Sequence, residues 1–209
     1  MRRMSLFLVA LFTFLLTMQA SAQVKFGAIA GLNIANLSQD PDDRDFSSRV
    51  GFGIGGVLDY GLGESIVLRV EPMILGKGAK ESDRGTDVTV KLIFLEIPMM
   101  VKYAFGTNDV QPYVMAGPTL GLNMSAKAEG SDDGFEIDED LKDDIKSVDF
   151  GFGIGAGVSR PIGDHSAFAE LRYSAGLTNL NDQSSASDAS LKTNGVQFFI
   201  GIIFGKAKK

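Results

Sequence analysis

The 209-residue chain has no cysteine, so no disulfide staples it and no lipid can be attached through an N-terminal thiol. Beyond its N-terminal segment it has no run approaching the roughly twenty apolar residues that a membrane-crossing helix needs, which excludes a helical membrane protein. It has one histidine. His165 lies between Asp164 and Ser166, and three adjacent residues in a short turn do not converge as a catalytic triad does; Gly163-Asp164-His165 closing a turn accounts for them. No nucleophile with a positioned base can be named, so neither enzyme activity nor a cofactor is expected. Positive charge is also scarce. The formal net charge of -6 becomes -8 once Arg2 and Arg3 leave with the segment described next, which argues against a nucleic-acid partner and against adhesion to anionic surfaces by bulk charge.

The N-terminal segment reads as an export signal. Arg2 and Arg3 make a basic start, Leu6 to Leu16 an apolar centre, and Ala20-Ser21-Ala22 a small-residue cleavage pattern, so residues 1–22 form the signal peptide and Gln23 begins the mature domain, 23–209. The apolar run is short and ends in Gln19-Ala20-Ser21 without a basic flank, unlike an anchoring helix. All 25 glycines lie beyond it. A mean hydropathy of only +0.10 would be puzzling for a helical membrane protein, but a barrel meets lipid with alternate residues only.

Alternation is what the mature chain has in abundance. Eight stretches carry apolar residues at a period of two, which sends each set to one face of a strand. The expected outward sets are Val24 to Ile34, Val50 to Tyr60, Ile66 to Ile74, Leu95 to Phe105, Val114 to Met124, Phe150 to Val158, Ala167 to Leu177 and Val196 to Phe204, each taken at every second residue or nearly so. The gaps near 61–65, 106–111 and 161–165 are short; those near 38–47, 79–87, 126–147 and 179–192 are longer and polar. Short turns on one rim and long loops on the other describe an all-β, eight-stranded antiparallel up-and-down transmembrane β-barrel. In the fourth stretch Val88, Val90 and Leu92 run in the opposite phase to Leu95 onward, which predicts a bulge or twist near Ile93 beside inward Pro98.

The opposite phase carries charge. Lys25, Arg49, Arg69, Lys102 and Arg172 face the lumen against Asp59, Glu71, Glu96, Asp149 and Glu170. Such charges must pair away from bulk water. In a ring of eight, strands three and seven lie opposite each other, so Arg69 and Glu71 reach toward Glu170 and Arg172, with Glu96 and Lys102 in the same network. An eight-strand interior is just wide enough for side chains to fill, which predicts a closed, ion-paired lumen; a narrow wet pore or proton path is the rival.

Three further patterns need weighing. Gly51-Phe52-Gly53-Ile54-Gly55-Gly56 is a literal G-x-G-x-x-G with Glu71 about twenty residues on, but Val57 to Gly61 continues a strand where a dinucleotide site needs a helix N-terminus. Gly31-Leu32-Asn33-Ile34 recurs as Gly121-Leu122-Asn123-Met124, and Gly51 to Gly55 as Gly151 to Gly155, which fits either two four-strand halves or chance among glycine-rich strands. From Glu129 to Asp144 there are nine acidic residues and one lysine. This stretch reads as a solvated extracellular loop, or as a weak divalent-cation site formed by Asp132, Asp133, Glu136, Asp138, Glu139, Asp140, Asp143 and Asp144.

The chain resembles the PorT-like small outer-membrane β-barrel proteins of Bacteroidetes, often labelled porin-family proteins. The resemblance rests on Val24-Lys25-Phe26-Gly27-Ala28-Ile29-Ala30-Gly31-Leu32-Asn33, Val70-Glu71-Pro72, Phe94-Leu95-Glu96-Ile97-Pro98-Met99-Met100-Val101-Lys102-Tyr103, Pro112 to Pro118 and the closing strand to Phe204. It implies an eight-strand barrel inserted by the barrel assembly machinery. Phe204 is followed by Gly205-Lys206-Ala207-Lys208-Lys209, a departure from a terminal aromatic signal. The expected partners are outer-membrane lipid and that machinery, with an unknown surface partner and a monomeric state. Function narrows to a plugged barrel with a structural or surface-binding role. The alternatives are a narrow porin-like channel, a secretion-associated barrel, or a soluble ligand-binding barrel with the phase inverted.

Overall fold

Alternating residues favour extended backbone when one face can be buried, and in the computed structural model they form ten strands among the described residues. These are β1 (Val24–Asp40), β2 (Ser47–Gly61), β3 (Ile66–Val70), β4 (Met73–Asp83), β5 (Thr86–Ala104), β6 (Gln111–Asp132), β7 (Phe135–Asp140), β8 (Val148–Ile162), β9 (His165–Gly176) and β10 (Ser190–Ile203). The structure describes residues 24–40, 47–83, 86–106, 109–132, 135–142, 144–181 and 190–205, without the side chains of 39–40, 81–83, 86–87, 131–132 and 135–138. The export segment 1–22 and Gln23 lie outside the described residues.

Ten strands make eight passes. β3 and β4 are one pass interrupted at Glu71-Pro72, since both pair with β5 in a single register: Val70 opposite Met99, Met73 opposite Glu96. β7 is not a pass; it folds back on the end of β6, with Lys127 opposite Asp140. Each pass pairs antiparallel with the next, and β10 returns to pair with β1 from Gly27↔Ile203 to Asp40↔Ser190. The ring is therefore closed, and among the described residues none of the eight passes is left as an edge; only β7, outside the ring of passes, pairs on one side alone.

The two faces are inverted relative to a water-soluble protein. Outward residues include Phe26, Phe52 and Ile54 at 61%, 75% and 68% exposure, while inward Arg69 and Glu71 are both at 0%. An apolar band of this extent is a liability in water and the normal surface of a barrel in lipid. Inward space is made by glycine where a neighbour's ring needs it. A Cβ on Gly201 would stand 2.3 Å from Phe168 Cζ, and one on Gly157 would stand 2.5 Å from Tyr113 Cζ, so each ring tip occupies the space that a side chain there would take.

Three details differ from the sequence expectation. β5 does not change phase near Ile93: Leu92, Phe94 and Glu96 are all buried while Ile93 is 42% exposed. The bulge expected near Ile93 is present between Ile93 and Phe94, but its extra residue sits on the facing strand: Ile93 pairs with Ser125 and Phe94 with Asn123, leaving Met124 unpaired in β6. Leu92 points inward because the interior at this end is itself apolar, built from Leu37, Ala79, Leu92, Phe94, Ala126, Ile145 and Leu180. Pro98 lies opposite the Glu71-Pro72 break instead of beside that bulge. There its carbonyl accepts the Glu71 N–H at 3.1 Å, and Pro72 O accepts the Gly56 N–H at 2.9 Å, so two prolines share one interruption of the ladder. Finally, the gaps at 79–87 and 126–147 are largely strand: β4 and β5 pair out to Asp83 and Thr86, and β6 runs to Asp132 before turning back.

In a bilayer, Ile54→Arg should cost about 2–4 kcal/mol because Ile54 lies midway along β2, whereas Ile66→Arg at the short-turn rim should cost about 1 kcal/mol or less. Denaturant unfolding of the protein refolded into lipid vesicles measures both. Equal costs would show that the outward band is not set against a hydrocarbon midplane.

Candidate functional site

β3 supplies Arg69 and the break just after it supplies Glu71 in the same inward phase, while the inward phase of β9 supplies Glu170 and Arg172. These four meet across the ring. Arg69 Nε and Nη2 donate to the two oxygens of Asp59 at 2.7 and 2.8 Å, and its Nη1 donates to Glu170 Oε2 at 3.3 Å. Arg172 Nη2 donates to Glu71 Oε2 at 2.5 Å and also to Glu170 Oε1. Tyr113 donates its hydroxyl to Glu170 Oε2 at 2.8 Å. Aromatic faces complete the shell, with the Arg69 guanidinium 4.5 Å from the Phe168 ring centre and that of Arg172 5.3 Å from Phe199. Planar guanidinium suits this position because it engages a carboxylate through two parallel bonds and stacks on rings at the same time.

Lys102 is buried beside this group, with Nζ 4.0 Å from the Tyr113 ring centre, and makes no ion pair with another described residue. It does not join Glu96, with which it was expected to share a network. Both lie on β5 six positions apart, which is about 20 Å of strand, so same-face phase does not bring them within reach. Glu96 instead receives Lys77 Nζ at 2.5 Å. Lys77 Nζ also lies 3.5 Å from Asp149 Oδ2, which accepts the Thr193 hydroxyl at 2.8 Å. Lys77 is the charged residue that the sequence balance passed over, although the alternation puts it on the inward face of the third pass. The interior thus holds two charged layers. The apolar cluster of Met73, Leu75, Met100 and Phe199, with Ile29, Val57, Met115, Phe168 and Ile203, packs around the Arg69–Arg172 layer. The cluster around Leu92 and Phe94 closes over Lys77 on the long-loop side, and Lys77 Nζ lies 5.0 Å from the Phe94 ring centre.

Other inward charges sit nearer the rims. Arg49 Nη1 donates to Lys77 O at 2.7 Å, and Lys25 is half-buried at the start of β1. The glycines of the G-x-G-x-x-G sequence lie inside β2, which continues as strand through Gly61. The repeat partners Asn33 and Asn123 are not equivalent: Asn33 is buried and donates to Gly76 O at 2.9 Å, while Asn123 borders the β6 bulge.

The acidic stretch from Glu129 to Asp144 is only partly described. Asp133 and Asp143, and the side chains of Asp132, Glu136 and Asp138, lie outside the described residues; Glu139, Asp140 and Asp144 are within them. Among the described residues no three acidic or histidine side chains are grouped for a metal ion. Asp140 Oδ1 accepts the Lys142 N–H at 3.0 Å. Lys91 donates to Glu129, which holds that carboxyl below the usual carboxylate range. Leu141 and Ile145 fold inward onto the apolar cluster at this end, and Ile145 bridges to Asn181, so the return limb of this segment is tied to the ring.

The sequence matches a family model described as "Outer membrane protein beta-barrel domain" over residues 19–182. Among solved structures, Neisserial surface protein A is similar at 18% identity and a TM-score of 0.52, with 88% of this chain and 99% of that one covered. Outer membrane protein OprG from Pseudomonas aeruginosa is similar at 12% identity and a TM-score of 0.50, covering 90% and 97%. No curated protein matches the sequence.

Removing Arg172 would leave Glu71 and Glu170 with less positive charge than they need. Arg172→Met is therefore expected to cost about 3–5 kcal/mol, and Lys102→Met less than half of that, since among the described residues no carboxylate lies within ion-pair distance of its ammonium. Urea unfolding of the detergent-folded proteins compares the two. Equal losses would mean that Lys102 carries as much of the layer as Arg172 does.

Proposed function

Because the chain belongs to the outer membrane protein beta-barrel domain family, which places it in the outer membrane of a Gram-negative cell, we propose that it serves there as a barrel with a plugged lumen whose work is done by its long-loop rim. The observation that carries this is the layered interior. Arg69, Glu71, Glu170 and Arg172 span it from β3 to β9, Lys77, Glu96 and Asp149 cross it nearer the long loops, and buried Leu37, Leu92, Phe94, Ile145 and Leu180 close over them. An ion crossing this lumen would have to break buried pairs and pass an apolar ring, each of which opposes permeation.

A surface role follows from what remains accessible. The β6–β7 hairpin extends past the end of the ring, and β4 with β5 forms a second extension beside it. Rigid strands that carry variable polar tips are the usual way a scaffold presents a binding surface. Among the described residues the closed ring leaves no edge on its eight passes for pairing with another copy within the bilayer, which favours a monomer set in lipid and delivered by the barrel assembly machinery. Kinship with PorT-like barrels of Bacteroidetes rests on the Leu95-Glu96-Ile97-Pro98 and Lys102-Tyr103 elements, where Glu96 and Pro98 both have structural work inside the ring.

Planar-bilayer recording of the purified barrel tests the plug. The expected trace has no steady openings of general-porin size, in the native protein and at any polarity. A stable, voltage-independent conductance of that size would overturn the reading in favour of a channel.

A further inference from the structure

Above the Arg69–Arg172 layer, β1, β9 and β10 enclose a void of about 10 Å³ lined by Asn33, Lys77, Ser174, Thr193, Asn194, Gly195 and Gln197. Its walls are polar and buried: Asn33, Ser174 and Gln197 are 1%, 5% and 2% exposed. The Asn33 amide is held in place by its Nδ2, which donates to Gly76 O at 2.9 Å. This fixes Oδ1 on the other side, where it has no partner among the described residues. Gly195 admits it, since a Cβ there would stand 2.5 Å from that oxygen. Ser174 and Gln197 likewise make no side-chain hydrogen bond with another described residue. An acceptor, a hydroxyl and an amide thus converge without partners on a space the size of one water molecule, and buried polar groups are rarely left unpaired.

We propose that this is a binding site for a single structural water, shared by Asn33 Oδ1, Ser174 Oγ and the Gln197 amide. The ligand is a neutral molecule that can donate to Asn33 and still accept from Ser174 or Gln197. A bare cation is a poor fit because Lys77 lines the same void and its ammonium would repel it. The water staples three neighbouring strands on one side of the ring. It also abuts the Thr193 hydroxyl that serves Asp149, so the outer charged layer is wet at one edge while the Arg69–Arg172 layer is packed in apolar side chains.

NMR of the whole barrel in detergent micelles tests the site. The side-chain amide protons of Asn33 and Gln197 should show cross-relaxation with water of the sign given by a long-lived bound molecule, unchanged when sodium is replaced by an organic cation. Ser174→Val, whose branched side chain occupies the void, should abolish both signals. Absence of the signals in the native protein overturns the proposal, whatever the variant does. Signals that survive Ser174→Val place the water elsewhere, and resonances that move with sodium assign the site to a cation; either result also overturns it.

Discussion

The contacts that Arg69 and Arg172 make from β3 and β9 hold opposite walls of the ring at a fixed separation. Two guanidiniums and three carboxylates cannot be buried unless each finds its partner, because an uncompensated charge in that position costs several kcal/mol. Their pairing requires that β3 and β9 face each other, which requires eight passes, which requires that β10 close on β1. Closure also satisfies every ladder group that an open sheet would leave facing hydrocarbon. The charge layer and the ring are therefore one constraint seen from inside and from outside.

That constraint also explains the placement of small residues. Long side chains from β3, β4 and β9 project far into a narrow interior, so their neighbours must be short. Gly157 and Gly201 let Tyr113 and Phe168 lie against backbone, and these rings then orient the guanidinium and carboxylate beside them. Tyr113 acts twice, donating to Glu170 and offering its face to Lys102. An aromatic with a hydroxyl suits such a position because one end meets a charge and the body packs as an apolar group.

The interior is not uniform along the barrel axis, and this is where function enters. A dense ionic layer, a looser layer around Lys77, and an apolar closure built partly from Leu141, Ile145 and Leu180 succeed one another toward the long-loop rim. The closing residues come from the segments between passes. The same segments that extend outward as the β6–β7 hairpin therefore also send apolar side chains back down into the ring, which couples the surface of the protein to its plug.

Much of this is written locally in the chain. A period of two assigns faces whatever the partner strand, so the outward band, the inward placement of Arg69, Glu71, Glu96, Glu170 and Arg172, and the eightfold rhythm were all legible from residue order. The opposition of strands three and seven followed from the count alone. Pairing along the axis did not, because phase says which face a residue occupies and nothing about its height. That is why Glu96 belongs with Lys77 and not with Lys102, and why Leu92 faces an apolar interior where a lipid-facing position was expected. Height is set by register, and register is decided by the Met124 bulge, the shift between Ser48 and Gly53 where β2 pairs with β4, and the staggered closure of β10 on β1. Each of these depends on the neighbouring strand, so only the folded ring could decide them.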